Sequence, residues 1–222
     1  MSSGIHGFIE RWRRSAGNER ANKDSFLREF CEVLDLPVPD PKDLNPDYCF
    51  EKDIKLQHLD GSTSTGSMDL YRANAFVLEA KQGSTKTSMG STPARGTRAY
   101  EVYMEKAFGQ AVRYAREMPE RPPFVITCDI GHSFHVWEGF SGSYRGYGAR
   151  RSILLDELKN PEIQDYFRAI WLDPESLDPA KTRARVTRDV AKQLGALAAS
   201  LDGKFPSEAV ARFLMRCVFT FF

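Results

Sequence analysis

Apolar residues recur along this chain with two different periods. Between residues 19 and 34, Ala21, Phe26, Leu27, Phe30, Cys31 and Leu34 are spaced by threes and fours, which predicts a helix with one buried stripe. Pro37, Pro39 and Pro41 end it, and a shorter amphipathic piece over residues 7–14 precedes it, anchored by Phe8, Ile9 and Trp12. Residues 48–59 alternate (Phe50, Ile54, Leu56) and predict a strand, and the Gly, Ser and Thr residues of 60–67 predict a turn. Residues 68–82 then read as two short strands about the polar turn Arg72-Ala73-Asn74, with Leu70 and Tyr71 before it and Phe76, Val77 and Leu78 after it.

A second long helix is expected over residues 99–118, with Tyr103, Phe108, Ala111, Val112 and Ala115 in register and Pro119, Pro122 and Pro123 closing it. Residues 124–128 are apolar enough for a central strand, and 134–140 read as another. The order helix, three strands, helix, two strands predicts an α/β sandwich with a mixed sheet. The last third reads as helices: 153–171 with two apolar clusters, then 182–201 with Val186, Val190, Leu194, Leu197 and Leu201 on one stripe. A final helix starts at Ser207 and Glu208, and its closing Phe219, Phe221 and Phe222 suggest either a chain that continues further or a helix that dimerises.

Composition narrows this little. With 222 residues, 41% hydrophobic, there is enough apolar material for a core, and a net charge of +1 leaves any nucleic-acid contact to local patches. The four cysteines (Cys31, Cys49, Cys128, Cys217) lack metal-ligand spacing and suit a reducing cytoplasm. The N-terminus has no signal-like apolar region, and no run approaches the roughly 20 apolar residues of a membrane span, so the expected setting is cytoplasmic, with no membrane partner.

The chemistry gathers at residues 68–82. Strand alternation places Glu79 and Lys81 on one face with Ala80 turned away, and Asp69 on the partner strand reaches that face if the register allows. Two adjacent carboxylates repel each other, and a hard cation such as Mg²⁺ relieves them, Mn²⁺ being an alternative. A lysine beside them can orient or deprotonate a water, or stabilise charge on a phosphate. The same alternation is also what the wet face of any half-buried strand shows. Glu19, in the first turn of the first long helix, either leans toward this site or favours its own helix dipole. The polar tract 83–98 carries Lys86, Arg95 and Arg98, a loop able to close over a phosphate backbone of double-stranded DNA. Gln110 and Tyr114 lie one turn apart on one helix face.

Asp69 followed by Glu79-Ala80-Lys81 inside this layout resembles the PD-(D/E)XK nuclease superfamily, with Met68 where that family often has proline. The resemblance implies that Asp69 and Glu79 ligate Mg²⁺, with the Ala80 carbonyl as a further ligand, and that Lys81 serves the attacking water. Gln110 and Tyr114 resemble the Q-x-x-x-Y pair of RecB-like members, and Gln82 follows the lysine as in several restriction nucleases. Over most of the chain, residues 17–22 leading into Phe26 and Leu27, then 69–82, 170–191 and 211–217, are similar to the N-terminal region of type IIL, MmeI-like restriction-modification enzymes. That implies a PD-(D/E)XK restriction-endonuclease-like domain over residues 1–150 and an α-helical spacer over 151–222. It also implies a downstream adenine N6 methyltransferase that uses S-adenosylmethionine, with a target-recognition domain, in the same polypeptide. These residues hold no N/D-P-P-Y motif and no glycine-rich cofactor loop.

The expected function is therefore a Mg²⁺-dependent DNA endonuclease domain, with transient self-association where both strands are cut. A self-contained repair nuclease and a non-cleaving DNA-binding scaffold of a phage-defence methylase are the alternatives.

Overall fold

The computed structural model describes residues 4–15, 19–84, 92–140 and 146–221, with side chains through residue 218. Six strands form a single mixed sheet in the order β1 (Tyr48–Gln57), β2 (Thr63–Arg72), β3 (Phe76–Lys81), β4 (Phe124–Asp129), β5 (Ser133–Glu138) and β6 (Arg151–Leu154). Neighbours are antiparallel except β3 and β4, which run parallel because helix α3 (Arg98–Glu117) carries the chain back between them. The β2–β3 turn sits where the polar residues predict it, with Asn74 in the left-handed region at φ 58°.

Helices α1 (Ile5–Arg14), α2 (Glu19–Val33) and α4 (Pro161–Leu172) share one aromatic core with the sheet. Phe30 meets Phe134 of β5 at 4.7 Å between ring centroids, and Phe76 of β3 meets Trp171 of α4 at 4.2 Å. Phe8, Phe26, Phe30, Phe134, Phe167 and Trp171 are all fully buried there. Trp171 also donates its indole N–H to the Tyr48 hydroxyl at 3.0 Å, so the ring's one polar atom is satisfied inside the core. A second cluster, with Ala111, Tyr114 and Ala115 of α3, packs on Ile54, Met68, Tyr71, Val77 and Val125 of the sheet. β3 is buried along its whole length apart from Lys81 at its end.

Three expectations change. β2 starts at Thr63, so most of the expected turn over 60–67 is strand; its first residues are exposed Ser and Thr, which give no apolar alternation but pair regularly with β1. Residues 151–154 form β6, which buries only Ile153 and so shows no strand pattern in sequence, and a 3-10 turn (Leu155–Lys159) precedes α4. The chain divides into compact units at Pro174/Glu175, whereas the sequence reading puts the boundary at 150/151. The reason is α4: Phe167 and Trp171 are 0% exposed within the first unit.

The second unit consists of α5 (Pro179–Leu201) and α6 (Ser207–Phe221). Asp178 caps α5 by accepting from the Ala180 N–H at 2.8 Å, and Pro179 occupies the first helical turn. Val190, Leu194 and Leu201 of the expected stripe are half-buried, while Val186 and Leu197 are exposed. Among the described residues no helix is long and apolar enough to cross a membrane.

Candidate active site

One step beyond the Leu70–Leu78 pair, the β2–β3 register sets Asp69 opposite Glu79. Alternation along β3 then returns Lys81 to the face that holds Glu79. The two carboxylates are bound at the backbone and at their heads. Asp69 Oδ2 accepts from the Ala80 N–H at 2.7 Å, and Glu79 Oε1 accepts from Lys81 Nζ at 2.9 Å and from Gln110 Nε2 at 2.7 Å. Gln110 is itself steadied by the Tyr114 hydroxyl at 3.2 Å, one helical turn away on α3. Asp69 is 7% exposed and Glu79 2%.

The start of α2 closes the site from above the end of β3. Glu19 Oε1 lies 3.4 Å from Lys81 Nζ, and Glu19 Oε2 accepts from the Tyr103 hydroxyl at 2.8 Å. Gln82 is drawn away from the carboxylates: its Oε1 accepts from Asn22 Nδ2 at 3.0 Å, which ties the end of β3 to α2. Asp69, Glu79, Lys81, Glu19, Gln110 and Tyr114 thus converge, and Gln82 lies in the surrounding frame.

Two further residues stand at the site that the sequence reading does not single out. Lys23 Nζ donates to Asp69 Oδ1 at 2.7 Å and forms an ion pair with Glu51. Lys23 follows Glu19 by four residues on α2, a spacing that places both on one helix face and is a usable sequence signal. Glu51 lies between the pairs Phe50–Leu70 and Lys52–Met68, directly across from Asp69, with its backbone in the left-handed region at φ 51°. The Ser67 hydroxyl holds its other oxygen at 2.9 Å. Only the paired strands bring Glu51 here.

Burial pushes the Glu79 carboxyl up to about 7, and the negative charge of Asp69 adds to the rise while Lys81 opposes it. Burial alone would lower Lys81, but the charge and hydrogen bond of Glu79 outweigh it and raise the amine. Lys23 behaves likewise: the hydrogen bonds and charges of Asp69 and Glu51 overcome its burial and hold it well above the usual lysine range. Glu79 Oε2 is buried and has no hydrogen-bond partner among the described residues. An open carboxylate oxygen beside a second carboxylate fits a hard cation. Among the described residues no group of three or more His, Cys, Asp and Glu side chains is arranged to hold a metal. The two carboxylates with the open Glu79 oxygen are donors of the kind used by an ion such as Mg²⁺, which takes one or two carboxylates and keeps several waters.

The expected DNA-contacting cations fare differently. Arg95 is not available to a phosphate: its guanidinium grips Asp129 with two hydrogen bonds, at 2.7 and 2.8 Å, and the Ile130 carbonyl at 3.0 Å. Asp129 is 0% exposed and also accepts from the Gly83 N–H and the Tyr100 hydroxyl, both at 2.8 Å. A buried carboxylate needs that compensation, which is the physical reason the arginine turns inward. Arg98 is exposed in the first turn of α3, and Lys86 lies outside the described residues. His132 and His135 stay apart from the site, and burial lowers both, His135 to about 4.

A family model described as "MmeI, N-terminal domain" matches residues 4–203. No curated protein and no solved structure matches the chain.

Proposed function

The chain belongs to the MmeI N-terminal domain family, and on that premise we propose that it is the DNA-cleaving region of a restriction-modification enzyme, hydrolysing phosphodiester bonds with the help of Mg²⁺. The observation that carries the reading is the unpartnered, buried Glu79 Oε2 beside Asp69, with Lys81 bound to the same carboxylate. Asp69 and Glu79, with the Ala80 carbonyl, would hold the ion; when bound, it supplies Lewis acidity at the scissile phosphate and a more acidic water.

The chain's own groups do the rest. Gln110 and Lys81 fix Glu79 in one orientation, and Glu19, itself held by Tyr103, flanks the Lys81 amine on its other side. The amine orients the attacking water and stabilises the charge that gathers on the phosphate oxygens. The water oxygen bonds to phosphorus as one P–O ester bond breaks. The water's proton leaves to solvent, and the departing oxygen takes a proton to become a hydroxyl. One such site cuts one strand, so double-strand cleavage requires a second copy acting on the other strand. The assembled trio favours cleavage over a non-cleaving scaffold. Sequence choice, adenine methylation and S-adenosylmethionine binding are assigned to downstream parts of the same polypeptide.

The test is plasmid nicking in Mg²⁺ by the full polypeptide. Asp69→Ala and Lys81→Ala are each expected to lower the rate at least about 100-fold while leaving the thermal transition in place. Wild-type nicking by Lys81→Ala removes the assignment.

A further inference from the structure

Asp69 has two sides: a cation is bonded to one, at Oδ1, and the Ala80 N–H to Oδ2 on the other. On the first, Lys23 lies between Asp69 and Glu51, with 14% of its side chain exposed, and donates to Asp69 Oδ1 at 2.7 Å. On the second, Glu79 presents its buried Oε2, which has no hydrogen-bond partner among the described residues. Glu51 is held in place for its part: its backbone is left-handed, an arrangement that persists for a non-glycine residue only where its surroundings fix it, and Ser67 restrains the carboxylate oxygen that points away from Lys23. Burial raises the carboxyl of Asp24, beside Lys23 on α2; Lys23 opposes the rise, and the negative charges of Glu51 and Asp69 add to it. Without the ammonium, the Glu51 and Asp69 carboxylates would face one another across β1 and β2 with no cation bonded between them.

We propose that Lys23 is the resident second cation of this centre: its ammonium occupies the position between Asp69 and Glu51 that a second divalent ion would take, so that the site accepts a single divalent ion, on the Glu79 side. The inference rests on the nuclease reading and deepens it by fixing the metal count and naming the residue that sets it. Two-metal phosphodiesterase sites place their ions about 3.5–4 Å apart around shared carboxylates. An ammonium bonded to Asp69 and Glu51 meets the same demand for positive charge with three N–H donors and no ion to dehydrate. Lys23 is a positioning residue here. It holds the Asp69 carboxylate and excludes a competing ion, and it takes no part in bond making.

The experiment counts Mn²⁺ bound per chain, by calorimetric titration and by the electron-spin signal of the free ion, on the full polypeptide without DNA. Wild type is expected to bind one ion and Lys23→Gln two, with Lys23→Arg returning to one. Lys23→Gln combined with Glu51→Gln should also bind one, because the second site loses a ligand along with its blocker. In nicking assays the wild-type rate should rise with Mg²⁺ as a single-site saturation curve, a readout that does not depend on any variant folding. Two ions in the wild type, a cooperative Mg²⁺ dependence, or one ion in a folded Lys23→Gln protein would each overturn the proposal and leave the nuclease assignment standing. No bound ion in either wild type or Lys23→Gln would remove both.

Discussion

Gly66 shows how finely the Glu79 carboxylate is placed. A methyl group built on it would lie 2.7 Å from the Tyr114 hydroxyl and 2.7 Å from its ring carbon Cε1, closer than non-bonded atoms tolerate. The ring is packed in the α3-side cluster, and its hydroxyl steadies Gln110, whose amide holds Glu79. Gly66→Ala should therefore destabilise by about 1–3 kcal/mol and, by misplacing Gln110, slow nicking about 10- to 100-fold. Adding Tyr114→Phe removes the hydroxyl clash, leaves the equally close ring carbon, and should recover part of the stability but little activity, a coupling that a double-mutant cycle would measure. Full activity in Gly66→Ala would mean that the Gln110 contact does not govern Glu79. At this scale the sequence is informative in proportion to how local the geometry is. Strand alternation and a short turn suffice to join Asp69, Glu79 and Lys81, and helical spacing suffices for Gln110 and Tyr114. Glu51 enters only through the β1–β2 register, which its own neighbourhood in sequence does not reveal.

Among elements, the junction of β3, α3 and β4 depends on Asp129. Its carboxylate receives Gly83 just beyond β3, Arg95 before α3 and Tyr100 within it, so one buried charge fixes three segments around the site. Arg95→Ala leaves that charge without its cation, and the expected loss is about 3–5 kcal/mol, read from urea unfolding. Arg98→Ala, at an exposed position in the first turn of α3, should change stability by no more than about 0.5 kcal/mol. Equal stability of Arg95→Ala and wild type would mean that Tyr100 and Gly83 satisfy Asp129 unaided. Sequence reading assigns Arg95 to DNA because a cation among glycine, serine and threonine residues looks solvated, and its partner lies 34 residues away. The same blindness to long-range pairing hides the polar half of β2 and the single buried residue of β6, where hydrogen bonds across the sheet define the strand and apolar alternation does not.

For the molecule as a whole, the question is where the first folded unit ends. Aromatic clusters in sequence tell that residues 153–171 are apolar, but a spacer helix and a core helix look alike until their partners are known. α4 is a core helix: Phe167 lies 5.1 Å from both Phe30 and Phe134, and Trp171 contacts Phe30 and Phe76 while bonding Tyr48. Removing two fully buried aromatic rings costs about 3–5 kcal/mol each, comparable with the whole stability of a typical domain at about 5–15 kcal/mol. A chain ended after Pro174 keeps every one of these contacts and should unfold in a single cooperative transition with intact near-ultraviolet dichroism. A chain ended at Arg150 also loses β6 and Leu158 and should show no cooperative transition. Calorimetry of the two truncated chains decides between the boundaries. If the shorter one melts cooperatively, the sheet with α1, α2 and α3 closes its own core, α4 is dispensable to it, and the unit ends where sequence reading places it.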